Sequence, residues 1–309
     1  MTKRTRILIT GGTGYLGGRI SEYLNEIEEF EVTIASRNPK NNKVIKVIEA
    51  HQNTPNLEKI IKDFDVVIHL AAVDAPTCQN EIEQAINVNI IGTTKWIEAS
   101  KKAGVSNFIY FSTIHVYGNQ PNILFINEET CTKPNHPYSI THKAAEDFVL
   151  TNSSGNFKTY VFRLSNAVGY PARKMTQWHL LVPDICQNLV KKNVFYLKSN
   201  PATARDFISI KSVCKTVESF ITKKNNIDSG VYNISSGINT EIGELTNQIV
   251  KLYNQTYSKN AEVIFQTPYS ALSKFPEIVN EKIKNLGIPL ESDLNEEILG
   301  LLQYCTEND

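Results

Sequence analysis

Gly11-Gly12-Thr13-Gly14-Tyr15-Leu16-Gly17 lies between a short apolar run, Arg6–Thr10, and a periodic stretch, Tyr15–Ile27, in which Leu16, Ile20, Leu24 and Ile27 recur at helical spacing. A strand that feeds a helix through such a turn uses its glycines for three things. They allow the tight turn, close approach of backbone to a pyrophosphate, and close packing of helix on strand. Phosphate suits this place because the helix start presents backbone N–H groups. The stretch therefore reads as a dinucleotide-binding turn, with Gly11, Thr13, Gly14, Tyr15, Leu16 and Gly17 against the ligand.

Outward from this turn, further β-branched runs alternate with helix-length segments. Candidate strands are 31–35, 43–48, 65–70, 107–112 and 158–163, and a long periodic segment covers 82–103. Such alternation predicts an α/β fold, a doubly wound parallel sheet of Rossmann type with helices on both faces. Its ligands are expected beyond the carboxyl ends of the strands, at Thr10-Gly11, Ser36-Arg37, Ala71-Ala72 and Ser112-Thr113. After about residue 165 the pattern weakens at Pro171, Pro183 and Pro201. The expected organisation is a dinucleotide-binding domain over 1–165, to which 206–237 returns, and a smaller substrate-binding lobe from 166–205 and 238–309. Lys223-Lys224-Asn225-Asn226 reads as a solvated turn.

Bulk properties narrow the classes. The 309 residues carry no formal net charge, which predicts neither a nucleic-acid nor an anionic-membrane partner. No apolar run reaches the length of a signal core or a membrane span. Five scattered cysteines (Cys78, Cys131, Cys186, Cys214 and Cys305) without C-x-x-C spacing predict reduced thiols, no metal site and a cytoplasmic setting.

The G-x-x-G-x-x-G spacing resembles the extended short-chain dehydrogenase/reductase superfamily, particularly its nucleotide-sugar-modifying branch. The resemblance continues in order along the chain. It covers His69-Leu70-Ala71-Ala72 at the fourth-strand end, Asn89-Ile90-Ile91-Gly92-Thr93 as the N-x-x-G-T helix motif, and Ser112-Thr113-Ile114-His115-Val116-Tyr117-Gly118. It then reaches Arg163-Leu164-Ser165-Asn166-Ala167-Val168-Gly169, Arg205-Asp206-Phe207-Ile208, and Asn285-Leu286-Gly287 followed by Pro289. It implies that Leu70, Ala71, Ala72 and Asn89 join the cofactor site, and that two helices of each subunit, near 89–103 and 138–150, pair in a homodimer.

At the second-strand end an NAD enzyme usually carries an acidic residue for the ribose hydroxyls, whereas this chain has Ser36 and Arg37. A hydroxyl and a guanidinium suit a 2′-phosphate, so NADP(H) is favoured over NAD(H).

The resemblance makes Tyr138 the acid or base at the sugar C4 oxygen and a cofactor-binding residue as well, and Thr113 the hydroxyl that orients that oxygen. A Tyr-x-x-x-Lys pair is expected here, yet the fourth residue on is His142, and Lys143 falls one place later. A lysine would lower the tyrosine's pKa by its charge and bond the nicotinamide ribose. Three outcomes are open: His142 substitutes in the catalytic and cofactor roles, Lys143 reaches in through a local distortion, or activity is lost. If His142 acts as a cation, activity should fall as it deprotonates.

Arg205 and Asn166 resemble the residues that grip the substrate diphosphate, His115 is a site-wall residue or a base, and Trp178 and His179 either flank the ligand or join the lobe core. The 4,6-dehydratases of the branch carry Thr-Asp-Glu where this chain has Thr113-Ile114-His115, which argues against dehydration. The leading expectation is reduction of a nucleotide-linked 4-keto sugar with NADPH. A 4-epimerase or 4-dehydrogenase is the alternative, and a catalytically silent dinucleotide-binding sensor or scaffold is the reading from another class.

Overall fold

The computed structural model describes residues 3–39, 44–120, 122–223, 226–270, 276–288, 290 and 293–308. Seven parallel strands form the main sheet: β1 (Thr5–Thr10), β2 (Phe30–Ser36), β3 (Lys46–Glu49), β4 (Val66–His69), β5 (Asn107–Thr113), then the later β7 (Lys158–Leu164) and β11 (Gly230–Ile234). Their spatial order is β11-β7-β5-β4-β1-β2-β3. The direction of winding reverses between β1 and β4, which opens a crevice at their carboxyl ends. Helices cover both faces, so β4 and β5 are buried along their whole lengths, with apolar runs at 66–68 and 108–111 and polar residues only at their ends.

On one face, α1 (Tyr15–Asn25) packs against the later α8 (Ile210–Thr222). Ile20 and Leu24 of α1 meet Val213, Val217 and Phe220 of α8 in one core. On the other face lie α2 (Leu57–Ile61), the short α3 (Ala75–Asn80) and α4 (Ile82–Ala85), α5 (Thr93–Ala103) and α6 (Pro137–Thr151). Trp96, Ile97, Ala145 and Val149 pack there on Leu8, Val67 and Phe108.

The periodic segment 82–103 is helical throughout but not uniform. A π-helical turn, Ile86–Gly92, joins α4 to α5. The extra residue per turn, which periodicity did not reveal, brings Asn89 to the buried side, where it is 1 % exposed.

The remaining elements are small. Strand β6 (Phe125–Ile126) pairs with β14 (Glu277–Ile278), while β8 (Asn166–Val168), β10 (Ala204–Ser209) and β12 (Asn239–Glu241) form a three-stranded sheet. Strand β9 (Val194–Leu197) pairs with β13 (Glu262–Phe265). Helices α7 (Leu181–Lys192), α9 (Ile242–Tyr257) and α11 (Asn295–Glu307) share a separate apolar core through Ile185, Leu189, Leu245, Ile249, Ile298 and Leu301, and α10 (Glu281–Asn285) lies against β11. Trp178 joins that core beside Tyr304, with ring centroids 6.3 Å apart, and takes no place in the cleft wall.

Of the segment 206–237, α8 and β11 lie on the main sheet, while Asp206 ties β10 to the loop beyond β11. Its buried carboxylate accepts from the backbone N–H groups of Ser236, Gly237 and Ile238 at 2.9, 2.8 and 3.2 Å. The expected strand 43–48 begins at Lys46, and Lys43, Lys224, Asn225 and Pro289 lie outside the described residues. Among the described residues no helix is long and apolar enough to cross a membrane, and no group of three or more His, Cys, Asp or Glu could hold a metal ion.

Candidate active site

A cleft of about 1740 Å³ runs along the carboxyl ends of the strands. A pocket for one drug-sized ligand is about 300–1,000 Å³, so this cleft has room for a dinucleotide and a second molecule.

Its first end is built from backbone. Gly11, at φ +69°, makes the turn, and Gly14 N–H donates to its carbonyl at 2.9 Å. A side chain at Gly11 would meet Leu70 and Ala71 backbone at 2.8 Å, and one at Gly17 would lie 2.3 Å from the Gly11 carbonyl oxygen. Gly14 caps α1 with no side chain, and no acidic residue occupies the first turn. The N–H groups there face the cleft uncapped, which suits an anionic ligand. Thr13, Leu16, Leu70, Ala71 and Ala72 line this end. Tyr15 lines it as well, but its hydroxyl is engaged at Gly169, donating to the carbonyl and accepting from the N–H at 3.0 Å. It thereby ties the glycine turn to the segment after β8.

At the end of β2, the Ser36 hydroxyl accepts from Asn38 N–H at 3.3 Å, and Arg37 is exposed on the cleft rim. Arg37 has no ion pair among the described residues.

Asn89 differs from its expected role. Its carbonyl accepts from Val73 N–H at 2.9 Å, its amide donates to Thr141 Oγ1 at 3.1 Å, and the residue does not line the cleft. The amide is spent joining the loop after β4 to α6, so Asn89 shapes the site from behind.

The second end is built from side chains. His136 caps α6 through Nδ1, which accepts from Ser139 N–H at 3.3 Å, and Pro137 occupies the first turn. Tyr138 then faces the cleft between two imidazoles. His136 stacks on its ring at 6.2 Å, and His142 meets it edge-on at 4.5 Å. Thr113 and His115 line the same wall from the end of β5 and the 3₁₀ turn after it. Lys143 lies around the helix on the outer side, paired with Asp147. The helix is regular there, so the lysine does not reach in.

His142 is 3 % exposed, and its Nδ1 shares a 2.8 Å hydrogen bond with the Tyr110 hydroxyl. Its Nε2 is buried and has no partner among the described residues. Burial, helped by nearby His115, pushes the His142 pKa down to about 4. Burial, with Cys78 and Asp74 nearby, raises that of Tyr138 to about 12. Of the two forms left open for His142, burial favours the neutral ring, which would not acidify Tyr138 as a lysine would.

Behind this end, Glu146 on α6 holds Arg163 of β7 at 2.8 Å and accepts from Ser112 Oγ at 2.5 Å. Both charged residues are buried, and they fix the helix face that carries Tyr138 and His142.

Toward the lobe, Arg205 is exposed on the cleft wall and has no ion pair among the described residues. Asn166 commits one amide hydrogen to the Asp206 carbonyl at 2.7 Å, while His179 lies on the rim. Sequence reading missed Tyr110, His136 and the Glu146–Arg163 pair. His-Pro ahead of a helical run is a legible capping signal, whereas the other contacts join strands and helices far apart in sequence.

Residues 7–235 match the model of the NAD dependent epimerase/dehydratase family. The chain belongs to that family. Among its relatives is a putative UDP-glucose 4-epimerase of Methanocaldococcus jannaschii, 25 % identical over 98 % of this chain and 99 % of the relative. Another is a GDP-6-deoxy-D-talose 4-dehydrogenase of Aggregatibacter actinomycetemcomitans, 28 % identical over 92 % and 90 %. The fold matches that of a UDP-glucuronic acid 4-epimerase from Bacillus cereus, solved with UDP-glucuronic acid and NAD, with a TM-score of 0.82, 20 % identity, and 99 % and 100 % of the chains covered. The extended short-chain dehydrogenase/reductase resemblance and the α/β Rossmann-type sheet both hold.

Proposed function

We propose that this family member interconverts nucleotide-linked sugars at C4, as a 4-epimerase or 4-dehydrogenase, with a nicotinamide dinucleotide in the cleft. The observation that carries the reading is the continuity of one cleft from the glycine turn to the wall of Thr113, His115 and Tyr138. The residues fit a dinucleotide on two grounds: the glycine turn leaves no room for side chains, and His142 Nε2 is a buried polar atom awaiting a partner. When bound, the nicotinamide supplies the acceptor and donor of a hydride.

In this reading Tyr138 takes a proton from the sugar C4 hydroxyl and returns it, while Thr113 holds the same oxygen. His142 bonds the ribose as a neutral group, and Arg205 with Asn166 grips the substrate diphosphate. Ile114 and His115 stand where dehydratases of the branch carry acids, which supports chemistry confined to C4. The relatives named as 4-epimerase and 4-dehydrogenase support the same choice. Ser36 and Arg37 continue to favour NADP(H) over NAD(H), although NAD is the dinucleotide in the Bacillus cereus structure. Ile91, Ile140 and Phe148 are exposed in the two segments near 89–103 and 138–150, which supports a homodimer through them. Phe148→Glu should then sediment as a monomer.

Net reduction of a 4-keto sugar is the second reading, and the tyrosine favours it. A hydroxyl with a pKa near 12 keeps its proton and serves better as an acid than as a base. The test is proton NMR of candidate nucleotide sugars with the purified protein. A C4 epimer formed without added cofactor supports the epimerase, and oxidation only with added NAD(P)⁺ the dehydrogenase. A product formed only from a 4-keto sugar with NADPH supports the reductase. Tight dinucleotide binding without any turnover would leave the silent binder.

A further inference from the structure

Tyr110 sits in the middle of β5, inside a sheet covered on both faces, and is 2 % exposed. A phenol in such a place needs a partner for its hydroxyl. Its ring lies between two imidazoles, 6.0 Å from His69 on one side and 6.0 Å from His142 on the other. His69 has no nitrogen to offer. Its Nδ1 is taken by Thr10 Oγ1 at 2.7 Å and its Nε2 by Thr93 Oγ1 at 3.1 Å. The one hydrogen bond of the Tyr110 hydroxyl among the described residues goes to His142 Nδ1, at 2.8 Å.

Counting donors then favours one tautomer. If His142 carried its proton on Nδ1, the phenol O–H would point into the sheet interior without an acceptor, and Nε2 would be a bare acceptor. If the phenol donates, Nδ1 accepts and the imidazole proton sits on Nε2. Burial and the Glu146 and Tyr138 groups keep the Tyr110 proton in place. The other titratable neighbours are His115 from the turn after β5 and Tyr138 on the same helix, while Glu146 is spent on Arg163 and Ser112. None of these gives Nε2 a partner, and the residue lines the cleft.

Resting on the dinucleotide reading above, we propose that Tyr110 is a positioning residue: its hydroxyl, donated to His142 Nδ1, holds the imidazole in the tautomer that presents Nε2–H to a ribose hydroxyl of the cofactor. The Tyr110–His142 pair thereby supplies, as a neutral donor, the ribose contact that a lysine supplies in a Tyr-x-x-x-Lys site.

The first measurement is long-range ¹H–¹⁵N correlation on ligand-free protein with ¹⁵N-labelled histidine, with His142 assigned by its loss in His142→Ala. The expected signal is a single Nε2–H tautomer, unchanged from pH 6 to 9. An Nδ1–H pattern overturns the proposal, and this readout does not need Tyr110→Phe to fold. The second is NAD(P)H affinity by nicotinamide fluorescence. Tyr110→Phe should bind about tenfold more weakly, the scale of one hydrogen bond. In the His142→Ala background the same change should cost nothing. An equal loss in both backgrounds makes Tyr110 merely structural and overturns the proposal. Wild-type protein that binds neither dinucleotide removes the functional reading and the ribose contact, while the ligand-free tautomer still decides whether Tyr110 positions His142.

Discussion

At the glycine end the cleft wall is main chain: Gly11 at φ +69°, Gly17 against the Gly11 carbonyl, and an uncapped start of α1. At the tyrosine end it is a set of buried side chains, in which His142 is held by Tyr110 from β5 and α6 by the Arg163–Glu146 pair from β7. A backbone site is specified by residues that follow one another, because only glycine tolerates its φ and its close contacts. A side-chain site is specified by partners brought together only by the fold. The first tolerates little variation, while the second can exchange one side chain for another, as His142 at the position of an expected lysine illustrates.

The sharpest way to break this comparison is Tyr138→Phe. If Tyr138 is the proton-transfer group of the proposed function, its removal should lower C4 turnover by about 10²–10⁴-fold. Dinucleotide affinity, carried in the proposed function by the glycine turn and by His142, should stay within about twofold. Loss of both together would mean that Tyr138 itself carries part of the dinucleotide contact. Gly17→Ala is the converse test. A Cβ 2.3 Å from the Gly11 carbonyl oxygen forces the turn open. Overpacking of this kind costs about 1–3 kcal/mol. Dinucleotide affinity should drop by a comparable factor, and the melting temperature should fall as well. A variant that binds as tightly as wild type would show that the turn does not hold the ligand.

The same contrast explains what could be read in the chain. The parallel sheet and the glycine turn follow from local runs and spacings, and Thr113, Tyr138 and Arg205 were singled out by resemblance to motifs of the family. His142 was legible as a departure from pattern, but its preferred protonation state was not, because that depends on how deeply the fold buries the ring. Tyr110 reads as one more apolar residue of β5 until the fold brings α6 over it. Asn89 carries a recognisable motif, yet the π-turn aims its amide at Val73 and Thr141 instead of the cleft. Burial and cross-element partners are tertiary properties, and no spacing in sequence encodes them.

A smaller effect probes the burial of two histidine rings directly. His69 and His142 are nearly inaccessible, and burial pushes their pKa values down to about 3 and about 4, below the ordinary 6.5. Between the folded and unfolded values the unfolded chain binds more protons, so stability is complete above about pH 6.5 and is lost as pH falls toward the folded pKa. Each unit of separation is worth about 1.4 kcal/mol per histidine. Chemical denaturation at pH 7.5, 6 and 5 should show this decline, and it should be shallower in His142→Gln. An identical slope in the variant would mean that His142 is not held neutral by the fold.

The smallest effect belongs to Lys143, and its smallness is the point. The lysine lies beside His142 in sequence but pairs with Asp147 on the outer side of α6, where Asp147 is 62 % exposed. A surface pair of this kind contributes about 0–1 kcal/mol and less in salt. Lys143→Ala should therefore leave turnover and dinucleotide affinity within about twofold of wild type, with a melting temperature nearly unchanged. His142→Ala should weaken dinucleotide binding about tenfold through the lost ribose contact. If Lys143→Ala instead abolished turnover while His142→Ala did not, the helix would have to shift its register by one residue in the working enzyme. That would bring a cation beside Tyr138 and lower its pKa, the role a lysine has in a Tyr-x-x-x-Lys site.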